Sequence, residues 1–259
     1  MKIDLKMEIL KRCWLFSDLD ESQVKRLSSL AKSRSFAKGA LILNQGDPPD
    51  FLYIISSGLV RQFRTSICGR MFITYISSSA DELNLAALFG ADEYFLSAQA
   101  ISDTTVLFIA KNDFLAFIED CSAIKDRVLA RLGQVLNSTY ERICDLTGEI
   151  VSQRVRNVVY MLHRRFGNMV RFRREDIALM AGTTIETTVR AIADLKTARV
   201  IESRRGGIVV IDEKKLAEIC RSSYVINTDL NLPQSSLASS SEIEPSLTTP
   251  VGQPQSFMS

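Results

Sequence analysis

Two charged residues four apart, Glu186 and Arg190, carry the most specific chemistry in the chain. A guanidinium offers paired donors that match O6 and N7 of guanine, and a carboxylate accepts from N4 of cytosine. Ile185 and Val189 each stand one residue before a charged one and suit thymine methyl groups. With Thr184 and Thr187 they make a candidate base-reading set of Thr184, Ile185, Glu186, Thr187, Val189 and Arg190. The same spacing has plainer readings. Glu186 lies three after Thr183 and can close a capping box. Glu186 and Arg190, four apart, can also be an exposed helix ion pair. The segment downstream favours the first reading. Residues 200–211 look like a strand, a basic Gly-Gly turn and a second strand, with Arg204 and Arg205 at the tip, where they suit phosphate contacts.

Positioning these side chains requires two short helices around a turn. Ile177, Ala178 and Ala181 hold packing spacing in the first, and Gly182 ends it where a left-handed residue is easiest. Thr183 or Thr184 can cap the second helix through its hydroxyl. Thr188, Ala191, Ile192 and Leu195 form an apolar stripe at steps of three and four, which leaves the candidate readers on another face. A helix-turn-helix places the first residues of its second helix in the major groove. With a hairpin behind it, the unit reads as a winged helix.

Bulk properties agree with a nucleic-acid partner for this segment alone. The net charge of +2 hides an asymmetry: residues 1–151 carry −2, residues 152–215 carry +7 and residues 216–259 carry −3. A basic excess confined to the winged helix is the electrostatic footprint of a phosphate-binding module. The 46% apolar content supports a real core, and no run approaches the roughly 18–20 apolar residues that span a bilayer. The N-terminus mixes lysines and carboxylates without an apolar stretch, unlike a signal peptide. The five cysteines (Cys13, Cys68, Cys121, Cys144, Cys220) are scattered, without a CxxC, and each reads as a free buried thiol. His163 reads as an exposed or partly packed histidine rather than a ligand. The expectation is a reduced, cytoplasmic chain with no metal and no cofactor. No nucleophile–base pair, paired carboxylates or phosphate-loop spacing points to an enzyme.

Along the chain, residues 4–16 and 20–33 read as helices, with Asp20 capping the second. Short apolar runs then alternate with turns: 40–43, 51–55, 59–65, 71–76, 95–101 and 105–109. Many short strands at such spacing suggest an antiparallel sandwich or roll, interrupted by a possible short helix at 82–89. Residues 122–150 predict a long helix in which Val128, Leu132, Val135, Thr139, Ile143 and Leu146 recur at seam spacing. Packing of that helix on its own domain stands beside pairing with a second chain, and pairing is favoured. Residues 152–166 predict a basic amphipathic helix with Val155, Val158, Val159 and Leu162 on one stripe. The fold class is therefore α+β: a β-rich sensor domain over 1–121, a dimerisation helix over 122–150 and a winged helix over 151–226. Residues 227–259, rich in Ser, Pro, Thr and Gln, predict a disordered tail.

Two stretches resemble the Crp–Fnr superfamily of bacterial transcription regulators. One runs from Lys38-Gly39 through Gly46-Asp47 to Phe51–Val60 and looks like the opening of a cyclic-nucleotide-binding β-roll. The other is the helix-turn-helix, through Gly182, Glu186, Thr187 and Arg190. The resemblance covers about residues 8–222 and implies the family's order of β-roll, dimerisation helix and winged helix. It implies double-stranded DNA, a second copy of the chain and RNA polymerase as partners, with a small-molecule effector of unknown identity and no membrane. Ile185 and Val189 look more like the Fnr branch than Crp, which carries an arginine where Ile185 stands.

Departures from the family pattern fall in the effector region. Cyclic-nucleotide binders carry Gly-Glu-Leu and later an arginine that clamps the cyclic phosphate. Here Asp81-Glu82-Leu83 replaces the first, and Leu96 stands before Ser97 where the arginine would be. A leucine cannot hold a phosphate. Glu82, Leu83, Leu96 and Ser97 thus mark the candidate effector site, and ordinary cyclic AMP binding is not expected there. The N-terminal cysteine cluster that holds an iron–sulfur centre in Fnr is missing too. An alternative reading is a redox or small-molecule sensor whose winged helix docks a protein.

Overall fold

The computed structural model describes residues 3–204 and 207–220. The tail expected over 227–259 and the last residues of the expected winged helix lie outside them. The N-terminal part opens with helices α1 (Ile3–Arg12) and α2 (Glu21–Leu30). The predicted helix over 4–16 stops early because Cys13 turns extended, and Trp14–Phe16 continue as one turn of 3₁₀ helix. Asp20 caps α2, its carboxylate accepting from the Gln23 N–H while the Gln23 side chain accepts from the Asp20 N–H. The predicted helix over 20–33 also ends early. Lys32–Phe36 form strand β1, an exposed polar edge that lacks the apolar alternation of a strand and is held by pairing with β8 (Thr104–Ala110).

The remaining strands are β2 (Leu41–Leu43), β3 (Phe51–Ser57), β4 (Val60–Thr65), β5 (Met71–Ser77), β6 (Glu82–Leu83) and β7 (Ser97–Ala100). Two four-stranded antiparallel sheets result, β1-β8-β3-β6 and β2-β7-β4-β5. Between them lies a core that includes Ile55, Val60, Leu83, Ala98 and Val106. Gly58 at the β3–β4 turn is an obligatory glycine: its φ is +98°, and a Cβ there would sit 2.4 Å from the Thr104 hydroxyl. The helix expected over 82–89 is instead β6, then Asn84 in the left-handed region, then a 3₁₀ turn at Leu85–Leu88. Pairing of β6 with β3 overrides the helical spacing there.

Helix α3 (Lys111–Glu119), not anticipated from the sequence, leads into α4 (Ser122–Gly148), the long helix. Helix α5 (Val151–Phe166) follows, then β9 (Met169–Val170), α6 (Arg174–Ala181), α7 (Ile185–Thr197), β10 (Ile201–Arg204), β11 (Gly207–Val210) and α8 (Glu213–Ile219). Strands β10, β11 and β9 form a small sheet in that order. The predicted stripe of α5 is buried, with Val155, Val158 and Val159 fully so and Leu162 nearly so. Each fully buried aliphatic side chain contributes about 1.5–3 kcal/mol. That core does not stop at the winged helix. Phe63, Ile73 and Ile76 of the β-roll share one buried cluster with Val158, Ile177 and Met180. The winged-helix module is thus packed against the second β-sheet. Among the described residues, no helix is long and apolar enough to cross a membrane.

Candidate nucleic-acid interface and sensor cavity

The turn between α6 and α7 sets the recognition face. Gly182 adopts φ +60° as the C-cap of α6, and a Cβ there would lie 3.1 Å from Leu146 of α4. Thr184 rather than Thr183 is the N-cap of α7, its hydroxyl accepting from the Thr187 N–H at 3.3 Å. Glu186 is therefore not the partner in a capping box. Thr188, Ala191, Ile192 and Leu195 are buried, and the Thr188 hydroxyl is satisfied by the Thr184 carbonyl at 2.9 Å. This leaves Ile185 at 45% exposure and Val189 at 48%, side by side with exposed Glu186 and Arg190. The two β-branched side chains thus place apolar surface beside two charges at the helix start.

Glu186 and Arg190 do not form an ion pair within 4 Å among the described residues. The Glu186 carboxyl is held below the ordinary glutamate range by its own backbone N–H, then by the Thr184 hydroxyl and the Arg190 charge. It stays ionised, an acceptor only, at neutral pH. The wing forms as expected: β10 pairs with β11 in register from Ile201–Val210 to Arg204–Gly207. Arg204 is exposed and makes only a loose 3.4 Å contact with Glu202. Arg205 lies outside the described residues.

The region expected to take an effector holds a cavity of about 400 Å³ bounded by three parts of the chain. Phe72, Leu85 and Leu96 come from the β-roll, Leu132 and Val135 from α4, and Met161 from α5. Of the four expected effector residues, Glu82 and Leu96 line it. Leu96 is half-buried, its carbonyl accepting from the Asn84 amide at 2.7 Å. Leu83 is in the core between the sheets, and Ser97 is turned away to accept from the Gln45 N–H at 2.9 Å. Glu82 is not free for a ligand: it pairs with Arg131 of α4, the two side chains 6% and 5% exposed.

A series of charged contacts ties the β-roll and α4 to the winged helix. Asp81, which stands at the family's glycine position, is buried and bonded to Arg165 of α5, and Arg165 also donates to the Tyr75 hydroxyl. Arg61 of β4 donates to Asp176 of α6 at 3.2 Å. Arg142 of α4 pairs with Asp145 at 3.1 Å and donates to the Met180 carbonyl at the end of α6. None of these was read from the sequence. The partners lie 84, 115 and 38 residues apart for Arg165–Asp81, Arg61–Asp176 and Arg142–Met180, so no local spacing signals them.

Three side-chain expectations are corrected. Val128 is not in a two-chain seam; it is 4% exposed inside its own domain's core, with Leu132 packed beside it. Leu146 is half-buried beneath the Gly182 turn, while Val135, Thr139 and Ile143 remain exposed. The most exposed apolar side chains of α4 lie one position on: Leu129 at 67%, Leu136 at 52% and Tyr140 at 58%. His163 is buried, its Nε2 3.6 Å from the Glu213 carboxylate. Cys68 is exposed at the β4–β5 turn, and its pKa is lowered by the Ser66 hydroxyl and the Arg70 N–H. Cys13 and Cys220 are buried, and burial pushes the Cys220 thiol up to about 12. No His, Cys, Asp and Glu cluster among the described residues has the makings of a metal site.

A β-roll joined by a long helix to an exposed winged-helix reader defines a two-part DNA-binding regulator. Profiles of known families divide the chain at the same place. One described as a cyclic nucleotide-binding domain matches residues 33–121, and one described as a Crp-like helix-turn-helix domain matches residues 153–219. The CRP-like cAMP-activated global transcriptional regulator of Mycobacterium tuberculosis is 26% identical over 222 residues, 83% of this chain and 99% of that one. The cyclic AMP receptor protein of Thermus thermophilus is 28% identical over 206 residues, 79% of this chain and 95% of that one. The structure of FixK2 from Bradyrhizobium japonicum shares the fold, with a TM-score of 0.68 at 22% identity, over 74% of this chain and 98% of that one. The chain belongs to the Crp–Fnr superfamily and is a DNA-binding transcription regulator of that type.

Proposed function

We propose that the protein acts as a homodimer that reads a near-palindromic DNA site and is controlled by a signal, other than cyclic AMP, sensed in the β-roll. The observation that carries this is the exposed set at the start of α7. Ile185, Glu186, Val189 and Arg190 share one uncovered face, and both charged side chains lack a mutual ion pair that would use them up. In this reading Arg190 donates to a guanine, Glu186 accepts from a cytosine, and Thr184 and Thr187 flank them. Arg204 and Arg205 hold the phosphate backbone. Paired recognition helices would enter successive major grooves about 34 Å apart.

The second copy is brought in by α4. The exposed apolar row of Leu129, Leu136, Tyr140 and Ile143 is the face that a second copy would cover. Leu136→Glu is expected to shift the protein from dimer to monomer in sedimentation, with loss of tight binding to a two-half-site duplex but not of weak binding to a half-site. An unchanged dimer would remove α4 as the pairing element.

The relatives from Mycobacterium tuberculosis and Thermus thermophilus are named for cyclic AMP, yet the features that would hold its phosphate are altered here. Glu82 is neutralised within the protein and Leu96 offers no charge. The signal would travel through α5, because Arg165 contacts Asp81 on the β-roll and lies on the helix that opens the DNA-binding module. Effector binding then shifts an equilibrium between postures in which that contact is kept or lost. RNA polymerase is the downstream partner in this reading. An electrophoretic mobility shift with genomic fragments over a range of salt tests the DNA function. Binding must fall as salt rises, since a reader that releases no counterions is not on DNA.

A further inference from the structure

The cavity between the β-roll, α4 and α5 has the size of a small-molecule site, about 400 Å³ against the usual range of roughly 300–1,000 Å³. Its chemistry is unlike that of an anion site. Most of its wall is apolar: Phe72, Leu85, Leu96, Leu132, Val135 and Met161. Three arginines also line it, Arg131, Arg142 and Arg165, but each already has a carboxylate. Arg131 is paired with Glu82, Arg142 with Asp145 and Arg165 with Asp81. Glu141 adds a further carboxylate to the wall. A phosphate entering here would meet no uncompensated cation and would lose its hydration, which is strongly unfavourable.

The same walls still hold unsatisfied polar atoms. Nε of Arg142, Nε of Arg165 and Oε2 of Glu141 are buried without a hydrogen-bond partner among the described residues. Buried polar atoms of this kind favour a partner that brings its own hydrogen-bonding group. We propose that this cavity binds a neutral, largely apolar small molecule carrying a hydrogen-bonding oxygen, and that it rejects cyclic nucleotides. The proposal rests on reading the β-roll as the signal-sensing part. Because the ligand would touch the β-roll, α4 and α5 at once, it would bind differently to any posture that draws α5 away.

Nile red, a neutral apolar dye with one carbonyl oxygen, is the probe. It is titrated into the full chain, with fluorescence as the readout and no DNA present. DNA binding is measured separately without dye, so the failure of either reading is seen independently of the other. The expected result is saturable binding of one dye per chain that excess cyclic AMP does not displace. Ala86→Trp and Ser138→Phe, which both fill the cavity, are each expected to weaken the dye at least tenfold. Ser138 lies on the half-exposed side of α4, so its substitution leaves the β-roll core intact if Ala86→Trp fails to fold. Ile67→Ser, at a fully exposed hairpin tip outside the cavity lining, is expected to change nothing. Absence of saturable binding, indifference to both filling substitutions, loss of binding with Ile67→Ser, or displacement by cyclic AMP would each overturn the proposal.

Discussion

The two functional ends of this chain use charge in opposite ways. On α7, Glu186 and Arg190 stand exposed with no ion pair joining them, and the Glu186 carboxylate is held only by its own N–H, the Thr184 hydroxyl and the Arg190 charge. Around the cavity, Arg131 and Arg142 of α4 and Arg165 of α5 are bonded to carboxylates of the same chain, two of them, Glu82 and Asp81, from the β-roll. Charges presented on a surface suit recognition of a polyanion. Charges paired in the interior hold segments in register and leave little for an anionic ligand. The contrast is the one the proposed reading requires: a surface reader with exposed charges and a cavity whose arginines are already paired.

The most severe way to break this contrast is to remove one buried partner. Arg131→Met leaves the Glu82 carboxylate buried alone and is expected to destabilise the protein by about 3–5 kcal/mol in chemical denaturation. Glu82→Gln combined with Arg131→Met should restore most of that loss. A loss under about 1 kcal/mol for Arg131→Met would mean that the sensor arginine is free for a ligand after all. At the other end the effect is on binding rather than folding. Arg190→Ala is expected to cost about 1–3 kcal/mol of affinity for the specific site and to relax discrimination at one base pair, with the melting temperature little changed. Equal losses on specific and random duplexes would end its role in base reading.

The wing sharpens the contrast further. Arg204→Ala and Arg205→Ala should each weaken all sequences alike and reduce the salt slope by about 0.9. A sequence-dependent effect would make them base readers. The smallest effect belongs to Cys68. Its lowered pKa and exposure should make it the first thiol alkylated by iodoacetamide, with reaction beginning below the ordinary thiol range. Cys68→Ser should remove that fast phase and leave DNA affinity untouched. If peroxide changes DNA affinity and Cys68→Ser abolishes the change, the redox reading returns.

Legibility in the sequence followed the range of the interactions. The helix-turn-helix was readable because its determinants lie close together in the chain: a left-handed Gly182, a capping hydroxyl, a buried stripe and an exposed face. Strands with apolar runs were readable too. Strand β1 was not, because Lys32-Ser33-Arg34-Ser35-Phe36 is a polar edge and only its partner β8 makes it a strand. The region after Asp81 was misread as a helix because β6 exists only through pairing with β3. The apolar repeat of α4 was legible, but not which of its positions the chain itself covers: Val128 is buried, while Val135 and Ile143 stay exposed beside Leu129, Leu136 and Tyr140. The clamp of Asp81 by Arg165 could not be seen at all. A glycine replaced by aspartate signalled that something had changed, while the residue it binds lies on another domain.

The most direct measurement is a selection of genomic fragments by the purified chain and, in parallel, by Arg190→Ala. The expected result is a two-fold symmetric motif for the native protein, with half-sites about one helical turn apart, and loss of preference at one position of each half-site in the variant. Recovery of the same motif by both proteins would contradict the reading. So would the failure of the native protein to enrich any motif even with cell extract present to supply a signal.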